Sequence, residues 1–170
     1  SEKPDATFAG FGPARGARPR AYVSLGSFLS ARTDVLKRIA DALRILSWDA
    51  VIATGATASR ALGAVPSSWV VREHLPQIAA LEACDIVVCH GGNNTVTEGL
   101  TAGLPVLAAP FSTDQFAGAE DLRRAGLGEG LARLDVRVAV VGRGRLHARE
   151  RDHRRQVQRE AGAKRHAAEA

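Results

Sequence analysis

The sequence predicts an α/β protein, a parallel sheet with helices on both faces. Three observations carry that reading. Short apolar runs alternate with stretches of helical periodicity, the pattern of successive β–α–β units. Asp85–Cys89 (DIVVC) is an unbroken apolar run, the mark of a central parallel strand covered on both sides. Gly26, Gly55, Gly103 and Gly126 fall where these segments end, and glycine permits the turns needed there.

Residues 1–20 are rich in Gly, Pro, Ala and Arg without an apolar period, so they read as a linker or tail. Tyr22–Leu25 forms a short buried strand, followed by Gly26-Ser27. Val35, Ile39, Leu43 and Leu46 recur at helical spacing, so a helix over 34–46 buries one face. Asp49–Thr54 is a second strand and Trp69–Arg72 a third. Pro76 suits the first turn of a helix continued by 77–83, because that position needs no amide hydrogen. After DIVVC, a helix over 95–102 stops at Gly103, a natural C-terminal stop. A strand over 105–108 and a helix over 115–125 complete the alternation. VAVVGRG, from Val138 through Gly144, reads as a last strand and turn. The Arg-rich run after it is either a solvated helix packed through Leu146 and Val157 or disordered. The expected division is a linker over 1–20, a domain over 21–142 and a basic tail over 143–170.

Hydrophobic residues make up 45% and charged residues 24% of the 170 residues, which fits a globular domain with a real core. The chain opens at Ser1 and contains no Met, so it reads as a fragment or processed piece. No apolar run approaches the ~20 residues of a membrane helix. No secretory leader opens the chain, and a cytoplasmic location is expected. Cys84 and Cys89 are too few for a disulfide framework and lack zinc-site spacing; they read as small buried residues. The net charge of +5 is a tail property. Residues 1–130 hold 12 Lys and Arg against 13 Asp and Glu, whereas 131–170 hold 11 against 5. No aromatic residues interleave with the tail's arginines, so nucleic-acid binding ranks last.

The most informative stretch is Cys89-His90-Gly91-Gly92-Asn93-Asn94-Thr95-Val96-Thr97-Glu98. A buried strand ends, two glycines turn the chain, and a helix starts. The first amides of a helix have no internal partners and carry the positive end of its dipole, so this corner suits a phosphate or diphosphate. Gly91 and Gly92 let backbone approach the anion, while His90, Asn94 and Thr95 can donate to it. Taken alone, Thr95-x-x-Glu98 is more readily a capping box, and His90 alone a core-edge histidine.

The run HGGNNTVTEGLTAGLPVLAAPFSTDQ resembles the donor-site signature of GT-B glycosyltransferases, most closely bacterial natural-product enzymes of the macrolide and enediyne type. The resemblance covers residues 20–130. It implies a Rossmann-like parallel sheet, the C-terminal half of such an enzyme, binding a UDP- or TDP-sugar. It implies that His90, Gly91, Gly92, Asn94 and Thr95 hold the diphosphate and that Glu98 accepts the ribose hydroxyls. Asp114-Gln115 would bind the transferred sugar, where the alternative is a helix cap by Asp114 with Gln115 as plain surface. Ser27 would face the phosphates from the other side, or be an ordinary turn residue. His74, before Pro76-Gln77, occupies the place where the family usually carries an aromatic residue that stacks on the base, and both His74 and Gln77 are expected to contact the nucleotide sugar. This departure leaves the choice between uridine and thymidine donors open. The Arg-rich tail also departs from the family's crossing helices.

The expected function is donor binding in transfer of a hexosyl group to a small-molecule acceptor. No cofactor or metal is expected, and the acceptor base belongs to an N-terminal domain outside this chain. The expected outcome for the isolated chain is therefore binding without turnover. The alternatives are a non-catalytic nucleotide- or partner-binding module and another sugar-nucleotide enzyme such as an epimerase.

Overall fold

The computed structural model describes residues 18–26 and 32–130. Six strands form one sheet in the order β3-β2-β1-β4-β5-β6. They are β1 (Arg20–Ser24), β2 (Asp49–Ala53), β3 (Val70–Arg72), β4 (Ile86–Cys89), β5 (Val106–Ala108) and β6 (Gly128–Gly130). Every neighbouring pair is parallel. The helices are α1 (Thr33–Ile45), α2 (Gln77–Glu82), α3 (Asn93–Thr101) and α4 (Thr113–Arg124), with a 3-10 turn at Ser59–Leu62. The predicted doubly wound α/β architecture is thus the observed one.

Strand alternation divides the core into two layers. Ala21, Val23, Ile52, Ile86 and Val88 pack with Leu36, Ile39 and Leu43 of α1. Tyr22, Val51, Val87, Cys89 and Val106 pack with Leu81 of α2 and Leu122 of α4. Strand β4 is buried along its whole length, as its unbroken apolar run requires. Burying one such aliphatic side chain stabilises the fold by roughly 1.5–3 kcal/mol. Gly99 lets α3 sit close on the sheet, since a Cβ there would come within 2.8 Å of Val87 Cγ2.

Several boundaries differ from expectation. Arg20 begins the first strand rather than ending a linker. Helix α3 starts two residues before the predicted position, because Gly92 has the extended backbone of a helix cap (φ −66°, ψ 139°). The 3-10 turn and β6 were not foreseen. Strand β6 has the sequence GEG, without β-formers, and is held by backbone pairing with β5. The predicted strand in VAVVGRG and the fate of the Arg-rich tail fall outside the described residues, as does Ser27.

The order places β1 beside β4, where the chain reverses its direction of growth across the sheet. A crevice opens beyond the carboxyl ends of strands at such a switch point.

Candidate functional site

A cleft of about 660 Å³ occupies that crevice. Its floor is formed by Tyr22 and Ser24 of β1 and by Gly26. One wall is Glu73, His74, Leu75 and Gln77, leading into α2, and the other is His90 with Gly92–Thr95 and Glu98. Of the sequence-predicted residues, His74, Gln77, His90, Gly92, Asn94, Thr95 and Glu98 meet here.

The start of α3 is open. The Val96 amide is the first to reach a helix carbonyl, that of Gly92 at 3.1 Å, so the amides of Asn93, Asn94 and Thr95 precede the ladder. No side chain caps this end, and its first turn holds no acidic residue. The capping box is therefore not formed. Thr95 lies inside the helix, buried, and Glu98 lies a turn further on. The reason is the earlier helix start at Gly92, which moves both residues past the positions a capping box needs.

His90 follows β4 directly and turns its imidazole between two glycines. A Cβ on Gly26 would come within 2.7 Å of its Cε1, and one on Gly92 within 2.3 Å of its Nε2. Gly91 makes the turn with φ +88°, a conformation glycine accepts readily. His90 Nδ1 is buried and has no hydrogen-bond partner among the described residues. Burial holds its pKa below the ordinary imidazole value, with Asp114 pulling the other way. The ring is thus neutral at pH 7, with one N–H to donate.

Glu98 is held in place by a neighbour. Gln77 Nε2 donates to Glu98 Oε2 at 2.5 Å and lies 3.4 Å from Thr95 Oγ1. Gln77 Oε1 accepts from the Tyr22 hydroxyl at 2.9 Å. Tyr22 is a member of the site that sequence reasoning missed, having read it as core. Its partner lies 55 residues away, and no local signal links the two.

Asp114 and Gln115 do not line this cleft; they begin α4 behind the glycine turn, where a Cβ on Gly91 would lie 3.5 Å from the Gln115 carbonyl oxygen. Ser112, not Asp114, occupies the cap position of α4. Ser112 Oγ donates to Asp114 Oδ1 at 2.6 Å, and this bond, followed by nearby backbone amides, lowers the Asp114 pKa. Gln115 is not plain surface, since its Oε1 accepts the Phe111 amide at 2.9 Å. His74 stands on the rim with 85% of its side chain exposed, its Nδ1 3.7 Å from the Glu73 carboxylate. Cys84 and Cys89 are free and buried, and burial pushes their thiols up to about 12 and about 11. Among the described residues, no three His, Cys, Asp or Glu side chains gather as a metal would need. No helix among them is long and apolar enough to cross a membrane.

A family model described as UDP-glucoronosyl and UDP-glucosyl transferase matches residues 3–138. The chain belongs to this transferase family. It is 30% identical over 161 residues to NDP-glycosyltransferase YjiC of Bacillus subtilis (strain 168), which covers 89% of this chain and 41% of that protein. It is 38% identical over 112 residues to the PGL/p-HBAD biosynthesis glycosyltransferase of Mycobacterium tuberculosis, covering 65% of this chain and 25% of that protein. The solved spinosyn rhamnosyltransferase SpnG, complexed with thymidine diphosphate, superposes with a TM-score of 0.68 at 27% identity. That match covers 79% of this chain and 39% of the rhamnosyltransferase. The chain therefore spans well under half the length of these transferases. The GT-B resemblance and the Rossmann-like sheet read from the sequence are both borne out by these relatives.

Proposed function

We propose that this chain is the donor-binding half of a glycosyltransferase, taking a UDP- or TDP-sugar for hexosyl transfer to a small-molecule acceptor. One observation carries the reading. The uncapped start of α3 and the imidazole of His90, whose buried Nδ1 has no partner among the described residues, line the same switch-point cleft. A diphosphate lying there would receive the free amides of Asn94 and Thr95 and a donor from His90. Hydrogen bonds to a charged group are worth roughly 1.5–3 kcal/mol each, and such donors also stabilise the charge that develops on the departing diphosphate. In this reading protein donors answer the diphosphate charge and no metal takes part. Glu98 stands one turn further along the same helix, within the cleft, where its carboxylate can take adjacent ribose hydroxyls. His74 on the rim of the cleft would flank the base. Asp114 and Gln115, behind the glycine turn, would meet the transferred sugar beyond the diphosphate.

The relatives add support, since one solved relative is complexed with thymidine diphosphate. The acceptor base lies outside this chain in our reading, so the chain alone binds donors without turning them over. Titration calorimetry with UDP, TDP and their sugars tests the proposal. Glu98→Ala should weaken both nucleoside diphosphates by about tenfold or more, while leaving inorganic pyrophosphate unaffected. Unchanged UDP and TDP affinity in that variant would remove Glu98 from the site.

A further inference from the structure

We infer that Tyr22 is a positioning residue of the donor site: its hydroxyl anchors the oxygen end of the Gln77 amide, and Gln77 in turn aims the Glu98 carboxylate into the cleft. The inference rests on the donor-site reading above and adds a residue to it.

Each group offers a different part of a hydrogen bond. An ionised carboxylate only accepts hydrogen bonds, a glutamine amide has one donating and one accepting end, and a phenol does either. Glu98 can therefore accept only from Gln77 Nε2, which it meets in the structure. That leaves Gln77 Oε1 facing Tyr22, 2.9 Å away, and an oxygen there obliges the phenol to donate. The chain of bonds has a single consistent direction, from Tyr22 through Gln77 to Glu98. An amide turned over would set its oxygen against the carboxylate, acceptor against acceptor.

The fold holds the first link rigidly. Tyr22 is 1% exposed in the middle of β1, between β2 and β4. Strand alternation turns it toward the layer where α2 and α3 pack. Burial pushes its hydroxyl up to about 12, with the neighbouring Ser24 opposing, so it keeps its proton at any physiological pH. Gln77 stands at the first position of α2 and Glu98 in the second turn of α3. The phenol thus sets, from the sheet, a side chain that bridges two helices. With Glu98 Oε2 taken by Gln77, Oε1 is the oxygen left for a ribose hydroxyl.

The test uses the full chain and two ligands, UDP and 2′,3′-dideoxy-UDP, with affinities read by calorimetry. Wild type should prefer UDP. Tyr22→Phe keeps the ring and removes only the hydroxyl. It should weaken UDP by about threefold to tenfold, the range of one neutral hydrogen bond, and leave dideoxy-UDP unchanged. A merely structural role would move both ligands together. Gln77→Ala should lose the same preference, and adding Tyr22→Phe to it should cost nothing further, because both act through one path. A Tyr22→Phe chain that keeps the full preference for UDP overturns the inference, as does an additive double variant. Wild type that binds neither ligand overturns the donor-site reading itself, and one that binds both equally removes the ribose role of Glu98.

Discussion

Helices α3 and α4 begin alike and end up serving differently. Each follows a buried parallel strand, β4 or β5, and each starts at a residue in extended conformation, Gly92 or Ser112. At α4 the chain supplies its own anion. Asp114 sits in the first turn, bonded to Ser112 and held ionised by that bond and the nearby amides. Neither start has a side-chain cap, but at α3 the first turn carries no acid, and the ring of His90, with a buried nitrogen that has no partner among the described residues, stands beside it. A helix start has the same partial positive charge wherever it occurs. In the proposed reading, what separates a structural terminus from a binding site is whether the chain has already answered that charge.

The contrast can be attacked by making α3 resemble α4. Asn94→Asp places a carboxylate in the first turn of α3 with almost no change in shape. It should lower UDP affinity by about 100-fold, as expected for like charges at close range near a protein surface, while the melting temperature holds or rises. Calorimetry and thermal melts read the two effects. Removing the imidazole has a smaller effect. His90→Ala should weaken UDP and inorganic pyrophosphate equally, by about tenfold, because in the proposed site the side chain addresses only the diphosphate.

The same histidine leaves a mark on stability. Burial holds its pKa below the ordinary 6.5, so the unfolded chain takes up a proton at a pH where the folded chain does not. Its contribution is therefore complete above that value and is lost as the pH falls below it. Melting temperatures followed from about pH 7.5 to about pH 5 should fall less in His90→Asn than in wild type. Smallest of all is the effect of Asp114→Asn on UDP, which should stay within about twofold of wild type. The sugar-bearing donors should weaken more, and α4 should melt slightly earlier for want of its first-turn charge.

Much of this was legible in the sequence, and the exceptions have physical reasons. The unbroken DIVVC run announced β4 because burial on both faces leaves no room for alternation. The glycine pair announced the turn at the cleft, since side chains there would strike His90 or strain the backbone. The sequence points to a start for α3 two residues too late, because Asn93 and Asn94 are turn-formers by propensity and nothing local shows that Gly92 already caps the helix. From that later start Thr95 and Glu98 have the spacing of a capping box. Strand β6 escaped notice because its residues have no β preference; Gly128 is there for clearance, with a Cβ falling 2.2 Å from the Val106 carbonyl oxygen. The Tyr22–Gln77–Glu98 chain was invisible for a different reason, being made entirely of contacts between distant segments.

The most direct test of the anion corner is a crystal of this chain soaked with UDP. The account predicts diphosphate oxygens within about 3 Å of the Asn94 and Thr95 amides, with the His90 ring donating to one of them and the ribose hydroxyls against Glu98. A diphosphate bound anywhere else, with the start of α3 still facing water, would contradict it.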